Sequence, residues 1–337
     1  MKKLLFVFLI ASLIISVNSA AFAAPKYRFK MGHPNPANTP YDGTAKKFAK
    51  LAGEKTDGRV QVTVFPNNQL GDWTETFELI MRGDVEMGFQ CANASYDPKL
   101  NFAYYMPYVV RNMEEAKKAY GDGGWALSIC KELWEEHGIK ALAAYPAGVA
   151  GLSLRDMPPA PGDPNVEKKM KIRVMPLKAC ELTYKRLGYI PTPIPYAETY
   201  SAIQTGIADG QMGGGSFQAW SFRDVNKVWV RYNDYFENHF IVINMKIWDS
   251  LPEDIQKGLQ EAANEASAIR WAQVETEDAH YIKVLQEENG WTIVNLSDEE
   301  LDACANAIRK DVWPELEEML GEDLFNKAMN GVGLSAR

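Results

Sequence analysis

The chain has 337 residues, with 36 basic against 44 acidic side chains and a formal charge of −8. A net acidic surface argues against nucleic acid or another polyanion as partner. The length exceeds one ordinary core of ~100–150 residues, so two domains are expected.

The N-terminus reads MKKLLFVFLIASLIISVNSAAFAAPK: two lysines, an apolar run from Leu4 to Val17, then small residues. That order describes a secretory signal peptide over residues 1–24, cleaved after Ala23 or Ala24. The apolar run is shorter than the ~20 residues a membrane anchor needs. Export places the mature protein in the periplasm. There the four scattered cysteines (Cys91, Cys130, Cys180, Cys304) could form a disulfide or stay buried as thiols, and their spacing chooses no pairing. Without C-x-x-C spacing they support neither a zinc site nor a thioredoxin-type redox motif.

Tyr27, Phe29 and Met31 alternate with Arg28 and Lys30, predicting a first strand that ends at "GHPNPANTP". Tyr41, Ala45, Phe48 and Ala52 then recur at helical spacing until "TDGR". Val60, Val62 and Val64 predict a second strand. Asp72 with Glu75 has the spacing of a capping box for the next helix, which "RGD" ends before the strand-like "VEMGFQ". Strand, helix, strand, helix, strand is an α/β pattern.

Two helical stretches over about 113–137 precede the short strand "IKALAAY". The proline-rich, charged "RDMPPAPGDPNVEKK" is expected to be a surface excursion. The rhythm resumes with "KIRVM", a helix "LKACELTYKRLG", the extended "YIPTPIPY" and a helix "AETYSAIQTG". Three prolines within "PTPIP" make that segment a stiff connector and not a central strand, and it carries Tyr196, either to a ligand or to packing at a hinge. A last helix over about 252–289 is long enough to back both domains.

Enzyme signatures are missing: there is no G-x-S-x-G, H-E-x-x-H, G-x-G-x-x-G or P-loop. The four histidines (His33, His137, His239, His280) belong to different elements and read as structural. Arg173 differs. In "KIRVMP" it faces away from Ile172 and Val174, near the carboxyl end of its strand, where open α/β sheets bind ligands. Its planar fork of donors fits a carboxylate, which is either an internal Asp or Glu or that of a ligand. Met175 shares its face. His33 and Asn93 follow the first and third strands and are candidate polar contacts.

"KIRVMP", "LGYIPTPIPY" and "ETYSAIQTGIADGQ", in that order and at those distances, resemble the DctP family of extracytoplasmic solute receptors of TRAP transporters. "FPNNQLGDWTETFELIMRGDVEMG" and "NMKIWDSLPEDIQ" extend the resemblance over the mature chain. It implies a two-domain α/β fold of the periplasmic-binding-protein type (class II-like) with the long helix spanning both domains. Domain I would comprise 25–148 with about 239–270, and domain II 149–238 with about 280–337. It also implies a binding protein without catalytic activity or cofactor, which closes on an organic acid through Arg173 and delivers it to TRAP integral membrane subunits.

Trp73, Phe89, Tyr96, Phe217 and Trp220 fall in or near segments that face the cleft in that family. Either they line the cleft and suggest a bulky or aromatic acid, or each belongs to a domain core. Two departures stand out. Where many members follow "DGQ" with Glu-Asn, this chain has Met212-Gly213-Gly214-Gly215-Ser216, and only Arg155 approximates the family's second arginine. One carboxylate grip is expected, with Gly213 and Gly214 opening backbone N–H groups to the ligand. The competing readings are an exported enzyme acting on small carboxylates and a ligand sensor that docks on a membrane receptor.

Overall fold

The computed structural model describes residues 24–334, with the exception of Ala92, Ser95 and Tyr105. Apart from Ala24, the expected leader lies outside the described residues. Among the described residues no helix is long and apolar enough to cross a membrane.

Eleven strands among the described residues form two sheets. They are β1 (Tyr27–Gly32), β2 (Val60–Phe65), β3 (Met87–Gln90), β4 (Ile139–Val149), β5 (Leu152–Leu154) and β6 (Lys171–Val174). β7 (Ile190–Pro193), β8 (Gly210–Met212), β9 (Val228–Arg231), β10 (Phe236–Asn244) and β11 (Thr292–Asn295) follow. One sheet has the order β2-β1-β3-β10-β4, the other β11-β9-β5-β8-β6-β7. β1 runs parallel to β2 and β3, whereas β10 is antiparallel to both β3 and β4. The capping box at Asp72 forms as its spacing predicts, with Asp72 accepting from the Glu75 N–H at 2.9 Å and Glu75 answering at the Asp72 N–H.

Besides the helix Glu253–Glu287, which leads from β10 to β11, the chain passes between the sheets at two neighbouring places. β4 of the first sheet is followed after Ala150 and Gly151 by β5 of the second, and β9 returns through residues 232–235 to β10. The crossings are tied together. The Ala150 N–H donates to the Tyr235 carbonyl at 2.9 Å and the Asn233 N–H to the Ala150 carbonyl at 3.1 Å. Both crossings are thus short and bonded to each other.

The helix Glu253–Glu287 has 35 residues, about 52 Å at 1.5 Å per residue. It packs on the helix Pro40–Lys55 and β4 at one end and on the helix Ser216–Ser221 and β11 at the other. β4 is an edge strand, and the helix covers that edge. Gln260, Ser267 and Arg270 donate to the carbonyls of Leu142, Ala144 and Pro146, the alternate residues whose oxygens point outward. The long helix therefore registers against the first sheet before it reaches the second.

The structure adds detail to three local expectations. "YIPTPIPY" is more than a connector: residues 190–193 pair in parallel with β6, at the sheet edge where proline's missing donors face outward. The proline-rich excursion is pinned, since Tyr232 donates to the Pro161 carbonyl at 2.8 Å and the buried Lys168 ammonium to the Val166 carbonyl at 2.9 Å. The C-terminal helices, expected with domain II, touch elements of both lobes. Arg186 pairs with Asp311 at 2.7 Å, Lys327 with Glu132 at 2.8 Å, and the Trp313 indole donates to the Pro107 carbonyl at 3.0 Å. All four cysteines are buried, and Cys180 and Cys304 are free thiols. Burial pushes the Cys304 thiol up to about 12, which makes it inert.

Candidate functional site

Beyond the carboxyl end of β6 the two lobes enclose a cavity of about 200 Å³. From the second lobe Arg173, Met175, Pro176, Pro195, Tyr196 and Gln218 line it. The first lobe contributes Pro34, Asn35, Trp73, Cys91 and the first residues of the helix that Asp72 caps. The returning strand β10 adds Glu237 and His239.

Arg173 is 1 % exposed. Its Nε donates to the Ile194 carbonyl at 2.8 Å, and its guanidinium lies 5.8 Å from the centroid of the Tyr196 ring. These contacts fix the fork by its stem side. Tyr196 is 37 % exposed, yet its phenol is pushed up to about 12, first by burial and then by the Glu237 carboxylate, with Arg173 opposing. The ring thus feels a cation and an anion of the same cavity.

Behind Glu237 stands a polar cluster. The Tyr41 hydroxyl donates to Glu237 Oε1 at 3.0 Å, and His239 Nε2 lies 3.4 Å from the same oxygen. Burial, and next the Glu237 charge, raise the Tyr41 phenol well above its usual range. His33 is buried one layer back, 3.4 Å from Asp42. Burial holds its imidazole below the usual value, and the Asp42 carboxylate only partly offsets this.

Of the residues singled out in the sequence, Arg173, Met175, Tyr196 and Trp73 meet in this cavity. The others lie elsewhere. Phe89 forms a wall behind it, edge-on to Tyr145 at 5.0 Å and stacked on His239 at 5.8 Å. Phe217 sits beside Tyr41 at 6.1 Å and Tyr281 at 5.2 Å, between the first lobe and the long helix. Asn93 is buried, with its carbonyl accepting from the Tyr96 N–H at 3.0 Å. Tyr96 is half exposed and packs against Phe77 and His137, each at 5.5 Å, outside the cavity.

Gly213 and Gly214 act at one remove. The Gly213 N–H donates to the Gly151 carbonyl at 3.1 Å, so it serves the crossing instead of a ligand. Gly214 has φ +56°, and a Cβ there would fall 2.4 Å from the Cβ of Gln218. The glycines thus make room for Gln218, which does line the cavity.

Glu237, His239, Gln218 and Asn35 were not singled out as ligand contacts from the sequence. A signal existed for two of them. In "YFENHFIVIN" Glu237 and His239 occupy alternate positions on the strand face that carries Ile241 and Ile243 into the first core.

Residues 31–318 match the family model of DctP, bacterial extracellular solute-binding protein, family 7. The chain is 26 % identical over 316 residues to the C4-dicarboxylate-binding periplasmic protein DctP of Rhodobacter capsulatus, covering 93 % of this chain and 92 % of that protein. A TRAP periplasmic solute-binding protein from Sulfurospirillum deleyianum, solved with bound succinate, superposes with a TM-score of 0.78 at 26 % identity, over 90 % of this chain and 99 % of that one. Another, from Desulfovibrio salexigens with bound orotic acid, has the same fold, with a TM-score of 0.81 at 21 % identity over 91 % and 99 % of the two chains. With the two-lobed fold, the spanning helix and the family match over most of its length, this chain belongs to the DctP family of bacterial extracellular solute-binding proteins.

Proposed function

We propose that the protein captures a compact organic acid in the periplasm by a salt bridge from Arg173 to the ligand carboxylate, closes by a hinge motion, and delivers the acid to the membrane component of a TRAP transporter. The observation that carries the reading is a buried arginine, held by its Nε, on the wall of a cavity between two lobes. Guanidinium matches a carboxylate bidentately, and the low-dielectric surroundings make that match selective for anions. Relatives that bind succinate and orotic acid support the ligand class.

Trp73, Met175 and Tyr196 supply apolar wall, which favours a ring or a branched chain over a fully polar acid. The cavity volume of about 200 Å³ lies below the ~300–1,000 Å³ of sites for drug-sized ligands, so one ring is the expected scale. Residues 25–148 with about 239–270 form one rigid lobe and 149–238 with about 280–337 the other in this reading, and motion is centred on the crossings at 150–151 and 232–235. Closure follows from the ligand's differential affinity for the closed form.

Calorimetry against a panel of aliphatic, hydroxylated and aromatic carboxylates tests the capture step, with small-angle scattering on the best binder to test closure. The expected result is saturable binding with a smaller radius of gyration, and mass spectrometry of the recovered ligand finds it unchanged. Failure of every acid, or turnover of the bound one, would overturn the proposal.

A further inference from the structure

The cavity holds a second fixed charge that a salt bridge at Arg173 leaves unused. Glu237 lines the same cavity, is 5 % exposed, and sits at the start of β10. Its Oε1 is engaged by the Tyr41 hydroxyl at 3.0 Å and by His239 Nε2 at 3.4 Å. Its Oε2 is buried and accepts no hydrogen bond among the described residues. His239 is the one basic side chain within 4.0 Å of the carboxylate among those residues.

A carboxylate has about four acceptor sites, and burial with those of one oxygen unfilled is costly unless something arrives to fill them. The position of the group decides what that is. Glu237 lines the cavity and its Oε2 is already shut off from water, so a partner for that oxygen would enter with the ligand.

We propose that the ligand carries a cationic nitrogen in addition to its carboxylate, and that Glu237 receives this ammonium or iminium group while Arg173 receives the acid. The class is a zwitterionic amino or imino acid with an apolar body, which lies along Trp73, Met175 and Tyr196. The inference rests on the carboxylate reading of Arg173 and adds the second pole. A plain acid fits the same cavity but leaves Glu237 Oε2 buried without a partner, so discrimination comes as much from that penalty as from the new attraction.

Matched pairs test it: phenylalanine against 3-phenylpropanoate, leucine against 4-methylpentanoate, and proline against cyclopentanecarboxylate, by calorimetry on the wild type, Glu237→Gln and Arg173→Ala. Glutamine keeps the size of the side chain and an oxygen for Tyr41, so its unliganded melting point checks folding. The wild type is expected to prefer at least one amino compound over its partner by roughly thirtyfold or more, the usual scale of a buried charge pair. Glu237→Gln is expected to collapse that ratio toward one, and Arg173→Ala to weaken both members.

If the plain acids bind as well as the amino acids, or the ratio survives Glu237→Gln, the inference is wrong while the Arg173 reading stands. Binding untouched by Arg173→Ala instead removes the reading beneath it. Ligand released by denaturing the purified protein and weighed by high-resolution mass spectrometry is an independent check. A retained compound with a basic nitrogen supports the proposal, and a nitrogen-free acid overturns it.

Discussion

Arg173 Nε donates to the carbonyl of Ile194 at 2.8 Å, which ties the end of β6 to the residue just past β7. Because Ile194 is itself bonded to the Val174 carbonyl through its N–H, at 3.1 Å, the guanidinium is braced on both sides of its own strand end. An arginine held this way loses little further freedom on meeting a carboxylate, and preorganisation of that kind raises affinity.

Arg173→Ala is expected to weaken acid binding by ~2–5 kcal/mol, or roughly 30- to several-thousand-fold. Arg173→Lys keeps the charge but loses both the fork and the brace to Ile194, so it should recover only a small part of that loss. Calorimetry with the tightest acid measures both. Equal affinities for wild type and Arg173→Ala would remove the carboxylate grip from the account.

Gly214→Ala would place a methyl against Gln218 and force an L-residue into the left-handed region at φ +56°. The expected cost is ~1–2 kcal/mol of stability, together with weaker ligand binding because Gln218 is pushed from its place on the cavity wall. Urea unfolding and calorimetry on the same preparation separate the two effects. A variant as stable and as tight-binding as the wild type would contradict this role.

Asp234 lies in the second crossing, fully enclosed, with one oxygen accepting from the Tyr184 hydroxyl at 2.8 Å. Burial raises its carboxyl from 3.8 to about 6. Between about pH 4 and 6 the folded protein keeps a proton that the unfolded chain has lost, so stability attributable to this group falls as pH rises through that window and levels off above it. At pH 7 the penalty is on the order of 3 kcal/mol. Asp234→Asn removes the titration but leaves an amide donor to satisfy, so the expected net gain at pH 7 is ~1–2 kcal/mol, shrinking to nothing or a loss near pH 4. Urea midpoints at pH 4, 5, 6 and 7 check it, and identical pH slopes for the two proteins would rule it out.

Arg270 joins the long helix to the first lobe at the point where that helix leaves it. Its Nε donates to the Pro146 carbonyl at 2.8 Å, its Nη1 meets Glu277 at 2.5 Å, and its guanidinium lies 4.8 Å from the Tyr145 ring. Arg270→Ala should cost ~2–4 kcal/mol in urea unfolding, since Pro146 and Glu277 lose a shared donor in a nearly closed site. Arg270→Met keeps the stem packing and should recover part of it. A loss below ~0.5 kcal/mol in the alanine variant would show that the latch is not structural.

Much of the architecture could be read from local pattern. The alternation in β1 and β2, the capping box at Asp72 and the long run after Pro252 are short-range signals, and each became the element its period implies. "KIRVMP" was legible for the same reason, because a strand parity and a proline stop set where Arg173 lies without reference to distant residues. Glu237 was not legible in that way. A glutamate in a strand is ordinarily solvated, and this one is buried because β10 runs between β3 and β4 and because Tyr41 arrives from a helix 196 residues earlier in the chain. Gly213 misled for a related reason: its freedom is used to reach the Gly151 carbonyl across the sheet, a bond between strands far apart in sequence.

By itself the sequence determined the alternation of strands and helices and the strand end that presents Arg173, because these depend on periodicity and steric rules that act over a few residues, while the family was legible only through the resemblance of its motifs. The tertiary structure alone decided which side chains share the cavity. That the returning strand sets a carboxylate in the same enclosure as the arginine is a product of sheet order and of the two crossings, which bring together residues that no local spacing relates. Burial, and with it the energy of each charge, is a property of that assembled enclosure and of no segment within it.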